Sequence, residues 1–588
     1  MTTTIRTPSA FALHKIDTSL VIKIIFFILI AFLYLNRAFD KLTPYPTGDG
    51  PEYVFTTEAL YNHFTPDVRA EDPASFKKSY CQKEKWETNL KHDFFDQVEN
   101  ALKTNDVEFL KGTPNLVTDK SGKHYGYHFF FYSLINVPGR FIAEHIHANP
   151  LRCFQVTNAV LVIVTIFFLL FFSPFPLWQT ILISLSFCFS SIYWYLGWTH
   201  TEVFMACLVT MSCWFFFQRK YYLGIFLMSL GCLQYQPLLM VLVFMILSTL
   251  IKNGFNFKNI LRAGLYAIPF LWPPLFYLFH FGTTNLIGNT PGAMSVANIT
   301  YTRLFGFYFD VNQGAILAIP IALPFYLFFT FRKWVMMLIR KESFDFDYFL
   351  PVFLVLTTCI VSAISALCPV GAIIIRYATW VSAIILIHLF FMIKDHKPII
   401  SITILNYVFI AQIITILYHE QFNKFDWSFS NHTPLAKWFL EEYPEYYNPD
   451  PQIFISRTKD FDFSPAASPV IYIKDLNLVT KMAVHKDNLS NLTDYGFSKQ
   501  EIDSIKNNLH FINGWGYLSG NEIKTSKTGS EIYAVIRGQK AWLIEQKIRN
   551  SSDWMKQIEE KAKSWNKTVD EVIKMDVEWV LQKSEKNN

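Results

Sequence analysis

Apolar residues in this chain gather in long runs rather than alternating with polar ones. Leu20 to Leu35 carries a single charged residue, Lys23, and later runs of roughly 18 or more nearly uncharged residues match the length that crosses about 30 Å of hydrocarbon. The first run leads into Asn36-Arg37 rather than a small-residue cleavage site, so it reads as a retained helix. Lys and Arg set the orientation, because positively charged loops stay cytoplasmic. Arg6, Lys15 and Lys23 lie at the first span. Arg219-Lys220, the cluster of Lys252, Lys258 and Arg262, and then Arg332-Lys333, Arg340-Lys341 and Lys394 with Lys397 mark later cytoplasmic turns.

Threading the chain through these anchors predicts spans near 18–37, 154–173, 177–196, 202–218, 221–234, 236–251, 263–281, 314–331, 348–367, 373–393 and 398–418. The expected fold is a polytopic α-helical membrane protein with about 11 transmembrane helices, its amino end inside and its carboxyl tail outside. Gln234-Tyr235-Gln236-Pro237 leaves open whether 221–251 is one kinked helix or two. Phe129 to His147 is apolar too, but Ser133, Asn136, Arg140 and Glu144 recur at three- and four-residue spacing and form one polar stripe. That pattern predicts a helix lying in the interface rather than crossing, and counting it as a span would invert every later loop.

The chain therefore divides into a cytoplasmic amino terminus (1–17), a first transmembrane helix (18–37), a first outer loop with interfacial helices (38–153), a transmembrane body (154–418) and an outer carboxyl-terminal α+β domain (419–588). In that last domain Gln452–Arg457, Val470–Lys474, Glu531–Arg537 and Ala541–Glu545 read as strands. Trp554 to Gln582 reads as a helical hairpin, with Thr568 and Glu571 spaced as a capping box.

Composition adds weight to the membrane reading and little else. Hydrophobic residues make up 52% of the 588 and Phe alone numbers 58, while the net charge of +5 is accounted for by the cytoplasmic loops and gives no case for nucleic acid. Eight cysteines show no CxxC pair or zinc spacing. Cys81 and Cys368 are the two whose meeting on the outer side is open, against a plainer reading as isolated thiols.

Charged residues at the outer ends of spans carry the candidate chemistry. Asp49 and Glu52, in Asp49-Gly50-Pro51-Glu52-Tyr53, follow the first span, where a partly desolvated carboxylate has its pKa raised toward a useful value; the competing role is helix capping, since Asp-Gly-Pro is also a turn signal. Glu202 opens an apolar span, where an ionised carboxylate costs a few kcal/mol unless something polar meets it. His200 precedes it as an interface residue or ligand. Arg376 sits at the edge of hydrocarbon, either snorkelling or binding an anion, and Arg303 in the loop 282–313 is a second phosphate candidate. Tyr125 and His128 open the interfacial helix, where aromatics settle at the membrane boundary or offer a stacking surface. Asp310 and Gln313 position a loop or substrate.

Four motifs on one face, Gly48 to Tyr53, Trp198-Thr199-His200-Thr201-Glu202, Phe305 to Gly314 and Arg376-Tyr377, resemble those of the GT-C class of integral-membrane glycosyltransferases over roughly residues 18–420. That class includes protein O-mannosyltransferases, aminoarabinose transferases and oligosaccharyltransferase catalytic subunits. The resemblance implies a bacterial inner-membrane enzyme, with the carboxyl-terminal domain periplasmic. It would move a sugar, with inversion, from a polyprenyl-phosphate donor to a cell-envelope glycan, lipid or protein. It further implies Asp49 as base, Glu52 as its helper, and Glu202 with His200 supporting the acceptor or a divalent cation such as Mg or Mn. Arg376, with Arg303, would hold the donor phosphate. The spacing of Asp49 and Glu52 departs from a plain Asp-Glu or Asp-x-Asp pair, so which carboxylate is the base stays open, as does the metal. The alternatives are a polymerase or ligase using a diphosphate-linked glycan, and a non-catalytic transporter or scaffold.

Overall fold

The computed structural model describes residues 17–39, 48–81, 92–112, 114–340, 344–365, 374–420, 432–458, 468–475 and 477–587. Arg6, Lys15, Lys341 and Cys368 lie outside the described residues, as does the side chain of Cys81. The chain divides into two compact units, one of Met1–Gln236, Met245–Gly282 and Ala383–Gln412 and the other of Pro237–Phe244, Thr283–Ser382 and Ile413–Asn588.

The first unit begins with α1 (Thr18–Phe39), α2 (Gly50–His63), β1 (Asp67–Val68), α3 (Glu71–Cys81), α4 (His92–Thr104) and α5 (Val107–Gly112). Next come β2 (Leu116–Thr118), β3 (His124–Gly126), α6 (Phe131–His145) and α7 (Arg152–Phe171). Apolar helices α8 (Leu177–Cys188), α9 (Ile192–Tyr195), α10 (Glu202–Phe217), α11 (Tyr221–Gln234) and α12 (Leu239–Asn253) lead to α13 (Phe257–Ala267) and α14 (Trp272–Phe281). Five described helical segments are long and apolar enough to cross a membrane: Thr18–Phe39, Arg152–Phe171, Gln236–Asn253, Ala322–Ile339 and Pro398–Tyr418. Their outer faces hold Phe32 at 71%, Phe331 at 66% and Ile399 at 69% exposure, which in water would be a large unfavourable apolar surface. The protein is a helical membrane protein.

The remaining expected spans are shorter or broken. Leu177–Cys188, Glu202–Phe217, Tyr221–Gln234, Phe346–Ser362 and Ala378–Ile393 are apolar helices of 10–17 residues. The expected 263–281 span is split into α13 and α14 by a turn at Ile268–Leu271, where Pro269 and then Pro273-Pro274 remove helical donors. The open question at 221–251 resolves as two helices, because Tyr235 is extended (φ −136°, ψ 93°) and a short turn at Gln236–Leu238 precedes α12.

The helix α6 is amphipathic as expected, but its polar stripe faces inward. Ser133, Asn136 and Arg140 are buried while Leu134, Phe141 and Ile142 are exposed. The cause is an internal partner: Arg140 makes a two-pronged ion pair with Glu58 of α2, at 2.7 and 3.0 Å. At 1.5 Å per residue α6 is about 22 Å long, too short to cross. A three-stranded antiparallel sheet, β1-β3-β2, pairs Asp67 with Tyr125 and Thr118 with His124 and delivers the chain from β3 into His128 and α6.

The second unit contains α15 (Leu286–Asn289), α16 (Tyr301–Phe309), α17 (Ala322–Ile339) and α18 (Leu350–Ser362), and helices α19 (Ala378–Ile393) and α20 (Pro398–Glu420) run from one unit into the other. The helix α17 starts later than the expected 314 because a turn at Ala315–Leu317 and Pro320 come first, so Arg332-Lys333 lie within the helix rather than beyond it.

After α21 (Pro434–Glu442) and α22 (Pro451–Thr458), an antiparallel sheet forms from β4 (Val470–Lys474), β5 (Leu478–His485) and β6 (Trp515–Ser519). Leu440, Phe454 and Ile455 cover one face of it with Val470 and Ala483. Val479, Met482 and Val484 pack on the other face with Ile505 of α23 (Lys499–Asn508) and Ile532 of α24 (Gly529–Arg549). Only one of the four expected strands, Val470–Lys474, is a strand. Gln452–Arg457 lies in α22, whose start is fixed by Pro451 and by Asp450 accepting from the Gln452 amide at 2.9 Å. Glu531–Arg537 and Ala541–Glu545 both lie in α24, which opens with a Thr528–Glu531 capping box; Ile532, Val535 and Ile536 at helical spacing pack on the sheet core, and Ala541, Ile544 and Ile548 on a second core with the helices that follow. The expected hairpin is present as α25 (Ser552–Trp565) and α26 (Val569–Asn587), with the Glu571 amide donating to Thr568 Oγ1 at 3.2 Å and the Thr568 amide to Glu571 Oε2 at 2.8 Å.

Candidate functional site

The start of α2 places two carboxylates one helical turn apart, on one face. Gly48 takes a left-handed conformation (φ +54°), and a Cβ there would lie 3.7 Å from His200 Cε1. Asp49 occupies the cap position with φ −76° and ψ −5°, and its side chain makes no cap hydrogen bond, so capping does not explain it. Pro51 suits the first turn, where its missing N–H is not needed.

The two carboxylates sit in different surroundings. Glu52 is buried; its Oε2 accepts from the Tyr127 amide at 2.9 Å and its Oε1 is hydrogen-bonded to His128 Nδ1. Burial raises the Glu52 pKa, the neighbouring charge of Asp49 adds to that, and His128 and the Tyr127 amide oppose it. The Asp49 side chain is 22% exposed, and its Oδ2 lies 4.0 Å from Nδ1 of buried His200. Tyr53 ties the two pairs together: its ring centroid is 5.8 Å from that of His128 and 6.2 Å from that of His200. Trp198 closes the far side of His200 at 5.2 Å.

Packing behind the cluster is polar and exact in its partners. The Tyr132 amide donates to Gln234 Oε1 at 2.9 Å, and Asn158 Nδ2 donates to the carbonyls of Leu196 and Trp198 at 3.2 and 3.1 Å. Those bonds fix the chain leading to His200. Glu202 is buried as the first residue of α10 and bears electrostatically on Tyr132. The sequence thus brings Asp49, Glu52, His128 and His200 into one cluster around Tyr53, with Glu202 two residues past His200. Tyr125 is not part of it; its ring packs on His280 at 4.7 Å and against Phe276 and Phe281.

The remaining candidates belong to the second unit. Arg303 is buried, donating from Nε to Asp450 at 3.2 Å and from Nη1 to the carbonyls of Ser362 and Ile364 at 2.8 and 2.9 Å. These bonds commit its guanidinium to holding chain segments together. Asp310 accepts from the amides of Asn312 and Gln313 at 2.7 and 2.9 Å and from Tyr447 Oη at 3.0 Å; burial pushes its pKa up to about 6 against those bonds. Gln313 fixes Ile375 through its carbonyl at 2.8 Å. Both therefore build a turn. Arg376 is half-buried, with Nη2 donating to Tyr377 Oη at 2.7 Å.

Tyr53, Tyr127 and Gln234 contribute to the first cluster without a sequence signal beyond their proximity to a charged motif. Among the described residues no three His, Cys, Asp or Glu side chains converge as a metal-binding set. The fold and site define a helical membrane protein with a carboxylate–histidine cluster at the start of its second helix. Comparison with family models, curated proteins and solved structures gave no match.

Proposed function

We propose that this protein is a membrane glycosyltransferase that moves a sugar from a polyprenyl-phosphate donor to a cell-envelope glycan, lipid or protein acceptor, at the periplasmic face of a bacterial inner membrane. The supporting observation is the unequal environment of Asp49 and Glu52. Two carboxylates one turn apart take separate roles when their surroundings differ. Glu52 already accepts from an amide and is bonded to an imidazole, which suits a positioning group. Asp49, partly exposed and facing His200, suits a base that takes the acceptor hydroxyl proton. Attack on the anomeric carbon opposite the departing phosphate inverts its configuration. Glu202 and His200, in the same unit as Asp49, are assigned to the acceptor side, and the donor-phosphate role of Arg376, in the other unit, is carried by the sequence resemblance alone.

The test is transfer of radiolabel from undecaprenyl-phosphate sugars to an envelope extract by the reconstituted protein. Transfer by wild type that falls at least a hundredfold in a folded Asp49→Asn variant is the expected result. Undiminished transfer by that variant removes Asp49 as base. Absence of wild-type transfer from every donor overturns the reading and raises the diphosphate-carrier, transporter and scaffold alternatives.

A further inference from the structure

The contact between Glu52 and His128 is a built acid–base pair that the motif-based assignment leaves unused. Glu52 Oε1 accepts from His128 Nδ1 and Glu52 Oε2 is fixed by the Tyr127 amide at 2.9 Å, so the imidazole is oriented from behind by a doubly anchored carboxylate. A carboxylate on Nδ1 sets the tautomer and favours the doubly protonated ring, and Nε2 is the ring nitrogen turned away from Glu52. The His128 side chain is 18% exposed while Glu52 is 1% exposed, which places the imidazole on the open side of the pair.

Glu52 and Tyr53 of α2 and Tyr127 at the exit of β3 meet the ring directly. Tyr53 in turn packs edge-on against Tyr132 of α6 and His200 before α10, and Tyr277 of α14 donates to the Tyr127 carbonyl at 3.4 Å. The Glu52 carboxylate is bonded to the ring and favours an imidazolium, and Asp49 acts electrostatically on Glu52.

We propose that His128 is a catalytic residue that donates its Nε2 proton to the departing lipid phosphate, with Glu52 as its positioning residue. This rests on the glycosyl-transfer reading above. Imidazole and the second ionisation of a phosphate monoester are acids of similar ordinary strength, so a proton can pass between such groups without a large uphill cost. In the step, the acceptor oxygen bonds to the anomeric carbon as the bond from that carbon to the phosphate oxygen breaks, and the electron pair leaves with phosphate. The acceptor proton passes to Asp49 and the Nε2 proton to the departing oxygen. Exchange with water restores both groups, so no further reactant is required.

The test uses the full-length protein in nanodiscs and undecaprenyl phosphate, the product lipid, so that it does not depend on turnover. Binding is measured between pH 6 and 8 for wild type, His128→Asn and Glu52→Gln, each first checked for folding by thermal unfolding. Asparagine places an amide nitrogen where Nδ1 was, keeping the partner of Glu52 while removing Nε2. The expected result is that wild type binds about tenfold tighter at pH 6 than at pH 8, beyond the change in His128→Asn, which reports the ionisation of the lipid itself. Glu52→Gln moves the midpoint of the extra dependence to lower pH. Equal pH dependence in wild type and His128→Asn overturns the proposal. Transfer activity with no such difference in binding overturns the part of His128 alone, whereas the expected binding without transfer from any sugar donor overturns the reaction and the donor step with it.

Discussion

Removing Arg140 strands a charge behind the candidate site. Its guanidinium meets both oxygens of Glu58 at 2.7 and 3.0 Å, Glu144 at 2.7 Å and Ser79 at 3.2 Å, and lies 4.6 Å from the centre of the Tyr61 ring. Both partners of the central pair are nearly inaccessible, at 2% and 1% exposure. Deleting one member of such a pair costs about 3–5 kcal/mol, because the other is left ionised in a poorly solvated place, whereas replacing both by uncharged groups costs far less. Arg140→Met therefore loosens α6 strongly, and Glu58→Gln with Arg140→Met largely restores it. A local reporter is at hand: Cys153 at the start of α7 is buried, and a Cβ on Gly139 of α6 would lie 2.9 Å from its carbonyl oxygen, so α6 covers it. Alkylation of Cys153, read by peptide mass spectrometry, follows the opening equilibrium. A cost of about 3 kcal/mol corresponds to roughly a hundredfold faster labelling in Arg140→Met, with the double variant returning to within about tenfold of wild type. Labelling of Arg140→Met within threefold of wild type, or a double variant as reactive as the single one, would refute the account.

Two further outcomes follow from other parts of the molecule. Gly314→Ala would set a Cβ at 2.5 and 2.6 Å from the backbone nitrogen and oxygen of Asp310, so it destabilises the second unit by about 1–3 kcal/mol, read as a lower unfolding midpoint of the purified protein. At Asp119, burial pushes the carboxyl up, but bonds from His280, the Lys123 amide and Ser121 outweigh it and leave the pKa at about 2. A depressed carboxylate stabilises the fold above its unfolded value near 4 and loses that contribution as pH falls toward 2. Asp119→Asn should thus lower stability at pH 7 and narrow its difference from wild type between pH 4 and 2; a difference that does not change with pH counts against the assignment.

What the sequence made legible follows from which force dominates locally. Long apolar runs set the helices α1, α7, α12 and α20 near their expected places because hydrocarbon length is a strong constraint. Thr568 and Glu571 gave away a helix start because capping is a short-range effect. The strand β5 was missed since both its faces are covered and it carries a buried Lys481, whose Nζ donates to Ser519 Oγ at 2.8 Å; no alternation marks such a strand. Residues 531–545 were misread because their bulky apolar side chains suit a strand locally, while the burial of Ile532 and Ile548 is set by tertiary partners.

The same distinction governs the site. Charge at a membrane boundary is visible in one dimension, so Asp49, Glu52 and Glu202 stood out. Partnership is not: Arg303 resembles Arg376 in sequence, and its burial with bonds to Asp450 and to the Ser362 and Ile364 carbonyls is what marks it as a structural guanidinium. Nor could Glu52 and Asp49 be told apart until the β3 exit was placed, since the amide of Tyr127 and the ring of His128 approach from 75 and 76 positions along the chain. A buried carboxylate held by an amide and an imidazole resists rearrangement when substrate arrives, whereas one that is 22% exposed is within reach of it. That physical difference makes Asp49 the group to test as base and the Glu52–His128 pair the one to test through binding of lipid phosphate.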